Sequence, residues 1–161
     1  TPDLALSAEL AEARKDILRD ALQQLFSPLF WFLLASPVAA LGYYLLRLAG
    51  RQDEPDNQGL ANHWLTLADW IPTRLLALSF ALAGNFNATW DVIRERLLKP
   101  DAPGHELIDE AAEAAEPADL DTNGDPTEAL SEAMAGLQAL LQRALIVWMV
   151  MLALHTLWPG A

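Results

Sequence analysis

This sequence predicts an all-α integral membrane protein. It should have about three transmembrane helices, one kinked or broken at Pro37, and an amphipathic helix at the N-terminal end. Three observations lead there. Residues 21–46 carry no charged side chain, and roughly 20 such residues suffice for a helix to cross a hydrocarbon core of about 30 Å. Two further charge-free runs, residues 75–90 and 144–158, are set apart by polar, turn-rich stretches. The composition is 53% hydrophobic with six Trp, yet mean hydropathy is only +0.16 and net charge −12, so acidic segments dilute the apolar ones. The acidic balance argues against nucleic acid as a partner, because phosphate binding needs Lys and Arg. With no Cys, disulfides, thiolate metal sites and cysteine nucleophiles are excluded.

Taken in order, Leu10, Ala13, Ile17, Ala21 and Leu25 recur at helical spacing, with charged residues filling the other face. The chain begins at Thr1 rather than Met, which suggests upstream sequence, and no basic-then-apolar leader is visible. Ser27-Pro28 is placed to cap and restart a helix. The first crossing is expected over residues 28–47. Pro37 removes an amide donor inside it, and in lipid the freed carbonyl must find a partner within the protein. Residues 50–62, with Pro55, two Gly and several Asp and Asn, read as a polar connector.

The second crossing is expected over residues 75–90, which is short for a complete span and leaves open a re-entrant segment. Asp69 and Arg74 precede it, and Pro72 between them predicts a helix start. Trp64, Trp70 and Trp90 are placed to form an aromatic belt. Residues 91–99 continue that helix as a basic-leaning tail. Residues 100–136 form an acidic, alanine-rich insert, expected to be cytoplasmic, mobile and to bury little, within a single membrane domain covering 1–161. In the insert, Asp119, Asp121 and Asn123-Gly124 imitate the opening of a calcium loop, but its last ligand position is Leu130. A helix start fits better: Asp125 as N-cap, Pro126 first, Glu128 closing a capping box. That helix should run to the third crossing, residues 144–158. Sorting Lys and Arg over three crossings places the N-terminal end and the insert inside, and the 50–62 loop and C-terminal end outside.

Two ordered motifs carry a family resemblance: FWFLLASPVAALGYYLLR and, some way on, LADWIPTRLLALSFALAGNF. Together they resemble the AmpE branch of the CobD/AmpE membrane-protein family. The end, RALIVWMVMLALHTLW, is similar to that family's last span. Ala35-Ser36 stands where a Leu-Gly pair is usual before the proline, and the family's upstream span has no counterpart here. The resemblance implies a bacterial inner-membrane, multi-pass regulatory protein tied to β-lactamase induction and cell-wall recycling. The alternative it implies is an enzyme of the CobD branch, joining an aminoalkanol phosphate to a corrinoid carboxylate. Such chemistry needs clustered Arg and Lys, whereas the ten basic residues are scattered along the sequence. A structural subunit of a membrane assembly is the third reading.

No catalytic triad, phosphate loop or metal-ligand spacing is present, so no catalytic residue, metal or cofactor is assigned. The binding or signalling candidates are Asp69, Trp70, Pro72, Arg74, Asn85 and Pro37. Charge at a bilayer centre costs about 2.5–3.5 kcal/mol on insertion scales, so Asp69 and Arg74 should be paired, wet or useful. Together with Asn85 they are expected to line a polar seam against the kink at Pro37. The competing reading is an interfacial anchor, with Arg74 snorkelling to the headgroups. Expected partners are the lipid bilayer and other membrane helices, namely the missing upstream span or a second copy.

Overall fold

The computed structural model describes residues 2–51, 55–99, 103–117 and 126–157. Its elements are α1 (Pro2–Ala21), a π-helical turn (Leu22–Phe26), α2 (Ser27–Leu34), α3 (Pro37–Ala49), α4 (Pro55–Ala83), α5 (Phe86–Ile93), α6 (Gly104–Ala115) and α7 (Pro126–Leu157). No strand occurs among the described residues, so the all-α expectation holds.

Ser27-Pro28 does not restart a helix. The backbone stays right-handed helical from α1 through the π turn into α2. Leu10, Arg14, Leu18, Leu22, Phe26 and Phe30 recur every fourth residue, and all are buried. On a helix of 3.6 residues per turn this spacing drifts by about 40° at each step. The wider π turn takes up part of the drift, just before a proline that cannot donate to the ladder. Phe26 and Phe30 thereby both meet Trp148 of α7 edge-on, with ring centroids at 5.3 and 6.5 Å.

The expected break at Pro37 is present. Ser36 is fully extended, and its hydroxyl caps α3 by accepting from Ala39 N. The expected first crossing over 28–47 is not one continuous helix, however. Ser27 of α2 and Tyr43 of α3 both donate to the same oxygen of Asp69. In an unbroken helix these two residues would stand about 24 Å apart. The run therefore folds back as a helical hairpin, because the extended Ser36 reverses the chain. Pro37 and Val38 at its tip are exposed.

α4 is the central helix. It begins at Pro55, so most of the expected connector is helical, and it passes through Pro72 without a break. Pro72 is fully buried, held by packing on several sides that outweighs one lost backbone bond. α4 stops at Gly84, and Asn85 N-caps the separate helix α5 by accepting from Ala88 N at 3.2 Å. The expected helical tail beyond Trp90 thus belongs to a chain already turned back. α6 runs parallel to the second half of α4, with Gly104 against Thr73 and Ala115 against Gly84. Leu107, Ile108, Ala111 and Ala112 of α6 are fully buried. This part of the insert is a core element: small alanines let α6 approach α4 closely, and an acidic composition hid its apolar face. A Cβ on Gly84 would lie 2.5 Å from the Ala115 carbonyl oxygen. Gly84→Ala should therefore push α4 and α6 apart and destabilise the protein by about 1–3 kcal/mol, read as a lower unfolding temperature in detergent.

α7 runs antiparallel to α4. Arg143 donates to Ala83 O at 3.0 Å, and Trp148 Nε1 donates to Ser79 Oγ at 2.8 Å. Trp148→Phe should keep the packing but deprive the buried Ser79 hydroxyl of its donor, leaving only its own bond to Leu75 O, at about 1 kcal/mol. The described part of the helix begins at Pro126; the expected N-cap Asp125, the calcium-like Asp119–Asn123 stretch and Trp158 lie outside the described residues.

Two helical segments are long and apolar enough to cross a membrane, Gly59–Ala83 and Ser131–Leu157, and Pro37–Ala49 is a shorter apolar helix. The second expected crossing thus shifts upstream, to end before Gly84. Large apolar side chains are exposed on α3 (Val38, Leu41, Leu45), early α4 (Leu60, Leu67) and late α7 (Ile146, Val150, Leu154). Such a surface is compatible with lipid contact.

Candidate functional site

The first half of α4 presents Asn62, Thr66, Asp69 and Thr73 at spacings of four, three and four, which places them on one helix face. That face looks into a half-open cavity of about 760 Å³, lined also by α1, the end of α3 and the start of α6. The volume falls in the range of small-molecule sites, about 300–1,000 Å³.

Asp69 is buried and anchors three helices: Oδ1 accepts from Tyr43 Oη at 2.7 Å and from Ser27 Oγ. A buried carboxylate needs such donors, and the hairpin supplies them from both arms. Arg74 lies one turn further along and does not pair with Asp69; no ion pair between them occurs among the described residues. Its Nε and Nη2 donate instead to Leu97 O and Lys99 O, both at 2.7 Å, and its Nη1 to Trp70 O at 3.1 Å. The guanidinium also lies 3.9 Å from the centroid of the Trp70 ring. Arg74 thus clamps the turn after α5 onto α4, and it is not a headgroup anchor free of protein contacts.

Of the sequence candidates, Asp69, Trp70 and Arg74 line the cavity. Pro72 is buried beside it within α4. Asn85 and Pro37 do not join them: Asn85 is an exposed cap at the far end of α4, and Pro37 is exposed at the hairpin tip. The expected seam is corrected accordingly. Its partners for Asp69 come from Ser27 and Tyr43, because the hairpin folds back and the Pro37 kink faces outward.

The fold also gathers charge that is scattered in sequence. Lys15, Arg19, Arg47, Arg51 and Arg74 line the cavity, half of the ten Lys and Arg in the chain. The two-sided sorting of these residues fails here, since members assigned to opposite sides share one space. Lys15 is engaged by Glu12 at 3.0 Å, on the exposed rim. Asp109 of α6 also lines the cavity, and partial burial pushes its carboxyl above the usual range against the pull of Lys15 and His105. With its folded value raised, Asp109 makes stability fall as pH climbs from the ordinary Asp range, about 3.9, through that raised value. Asp109→Asn should remove this slope, so the mutant's advantage in unfolding temperature grows from acid to neutral pH. Equal shifts at pH 4 and pH 7 would refute this.

Arg47 differs from the other cations. It is 8% exposed, and its Nε and Nη2 have no hydrogen-bond partner. Arg47, Ser27 and Tyr43 escaped sequence reasoning. The available signal was that Tyr43 and Arg47 sit four apart on α3, opposite a purely apolar face.

Residues 3–94, more than half of the chain and all of α3 to α5, match the family model described as regulatory signalling modulator protein AmpE. No curated protein and no solved structure matches the chain.

Proposed function

The chain belongs to the AmpE family of regulatory signalling modulators, and we propose that it works as a multi-pass inner-membrane transducer in β-lactamase induction, with the α1–α3–α4–α6 cavity as its ligand-sensing site. It is a helical membrane protein, forming one membrane domain. One observation carries the reading: the family-matched residues include Asp69, Arg74 and every cavity wall except the start of α6. A ligand entering there would meet α1, the hairpin and α4 together. It would change their relative packing by binding one arrangement better than another, which is the requirement for a signal.

The test is inducible β-lactamase activity in cells whose own copy carries Asp69→Asn. Asn keeps an oxygen to accept from Ser27 and Tyr43 but removes the charge. Induction is expected to fall while the amount of membrane-inserted protein stays unchanged. Normal induction would remove the cavity from the signalling role.

A second reading, the CobD-branch enzyme, is favoured by the gathering of five basic side chains on one cavity. It predicts amide formation between an aminoalkanol phosphate and a corrinoid carboxylate by the purified chain. No turnover leaves the regulatory reading.

A further inference from the structure

We propose that the cavity takes a ligand through an oxyanion group, a carboxylate or phosphate, gripped side-on by Arg47. This deepens the sensing role above and rests on it for the cavity's purpose, though not for its chemistry.

Arg47 lines the cavity; a ligand there reaches its Nε and Nη2, which are unpartnered but covered by protein, as the side chain turns into that space. They lie on the same edge of the guanidinium, and together they form the fork that matches two oxygens of a carboxylate or phosphate. A guanidinium that is buried with both fork donors empty is expensive unless something charged and bidentate fills it. The internal competitor is Asp69, on the same cavity and near enough for its charge to interact with that of Arg47, but its Oδ1 already holds Ser27 and Tyr43, and no direct ion pair joins the two among the described residues.

A second feature of the same cavity has the same sign. The first residues of α6, Gly104 and His105, line it, and the N-cap residue of this 12-residue helix, Pro103, makes no side-chain cap bond. Its first amides therefore gain no partner from Pro103, and its dipole is positive at that end. An orphan Arg fork and a helix start thus border one space, whose wall also carries the carboxylates of Glu12, Asp16, Asp69 and Asp109. That space exceeds the size of a bare phosphate, so the oxyanion is one end of a larger molecule.

The oxyanion has two possible sources: a soluble metabolite or the headgroup of an anionic phospholipid. The experiment separates them. The full chain is purified in a neutral detergent and phosphate-free buffer, then titrated with inorganic phosphate and with acetate by calorimetry and by thermal unfolding. In parallel, native mass spectrometry records phosphatidylglycerol retained from mixed micelles. Phosphate or acetate binding without retained lipid identifies a soluble ligand; retained phosphatidylglycerol identifies a headgroup. In either arm Arg47→Gln should weaken binding at least about tenfold, as befits the loss of a charge-assisted pair. Arg47→Lys should recover only part, lacking the fork, and Arg94→Gln, on a distant surface, should change nothing. If Arg47→Gln lowers the helical content or quenches the Trp148 environment, Arg51→Gln at the cavity rim gives the readout instead, with weaker binding expected. No binding of phosphate, acetate or lipid by the wild type overturns the proposal, with water alone satisfying Arg47. So does unchanged affinity in both Arg47→Gln and Arg51→Gln. Should Asp69→Asn still abolish induction in that event, the sensing role stands and only the ligand class falls.

Discussion

Asp69→Ala is expected to loosen the α2–α3 hairpin from α4 and to cost about 2–4 kcal/mol. The Ala side chain accepts nothing, so the hydroxyls of Ser27 and Tyr43 both lose their partner inside the protein. Each buried polar group left unsatisfied costs about 1–3 kcal/mol. Ser27 and Tyr43 are 0% and 4% exposed, so solvent does not readily substitute. Asp69→Asn, by contrast, retains an acceptor and should cost a fraction of this. The check is the unfolding temperature of both variants in detergent, with tryptophan fluorescence reporting the Phe26–Trp148 packing behind the hairpin. A reordering of the pair, with Asn the more damaging, would show that charge rather than hydrogen bonding holds the three helices. The single variants Ser27→Ala and Tyr43→Phe should each reproduce part of the loss. Their sum should exceed the Asp69→Ala effect, since contacts to one shared atom do not add.

Arg74→Ala should cost about 2–4 kcal/mol and, on the proposed signalling role, impair induction. It strands the carbonyls of Leu97 and Lys99 and removes the cation from the Trp70 face. Lysine should not rescue it. A single ammonium cannot reach two carbonyls and its own helix at once in the geometry that the planar fork allows. This outcome contrasts with a headgroup anchor, for which Lys and Arg would serve alike. To separate signalling from stability, induction is compared at a growth temperature at which membrane-inserted protein is equal for wild type and variant. Wild-type induction together with a wild-type unfolding temperature in Arg74→Ala would reduce the clamp to a passive contact.

Local chemistry made much of this protein readable from sequence. The absence of charge over 21–46, 75–83 and 144–157 announced apolar helices, because a charged group in lipid is too costly to be incidental. The break at Pro37 followed from a missing amide donor, and the helix over the described residues from Pro126 onward from the apolar period of Leu130 to Ala144. Asp69 and Arg74 were singled out by the same cost argument, and both are buried against protein.

What the sequence could not supply was direction and neighbourhood. A proline predicts a kink, but only the extended Ser36 decides whether the chain continues across or folds back, and that choice brought Ser27 and Tyr43 to one oxygen. Pro72 read as a helix start because local propensity disfavours it inside a helix; packing on many sides of α4 overrode that. α6 read as a solvated acidic insert because its apolar face is mostly alanine, a weak hydrophobic signal that becomes core only where a glycine such as Gly84 lets backbones touch. The sequence by itself determined which segments are helical and apolar, since period and charge are local properties. Tertiary structure alone decided that cations spread from Lys15 to Arg74 share one cavity, because the spacing of charges along a chain carries no record of which helices will face each other.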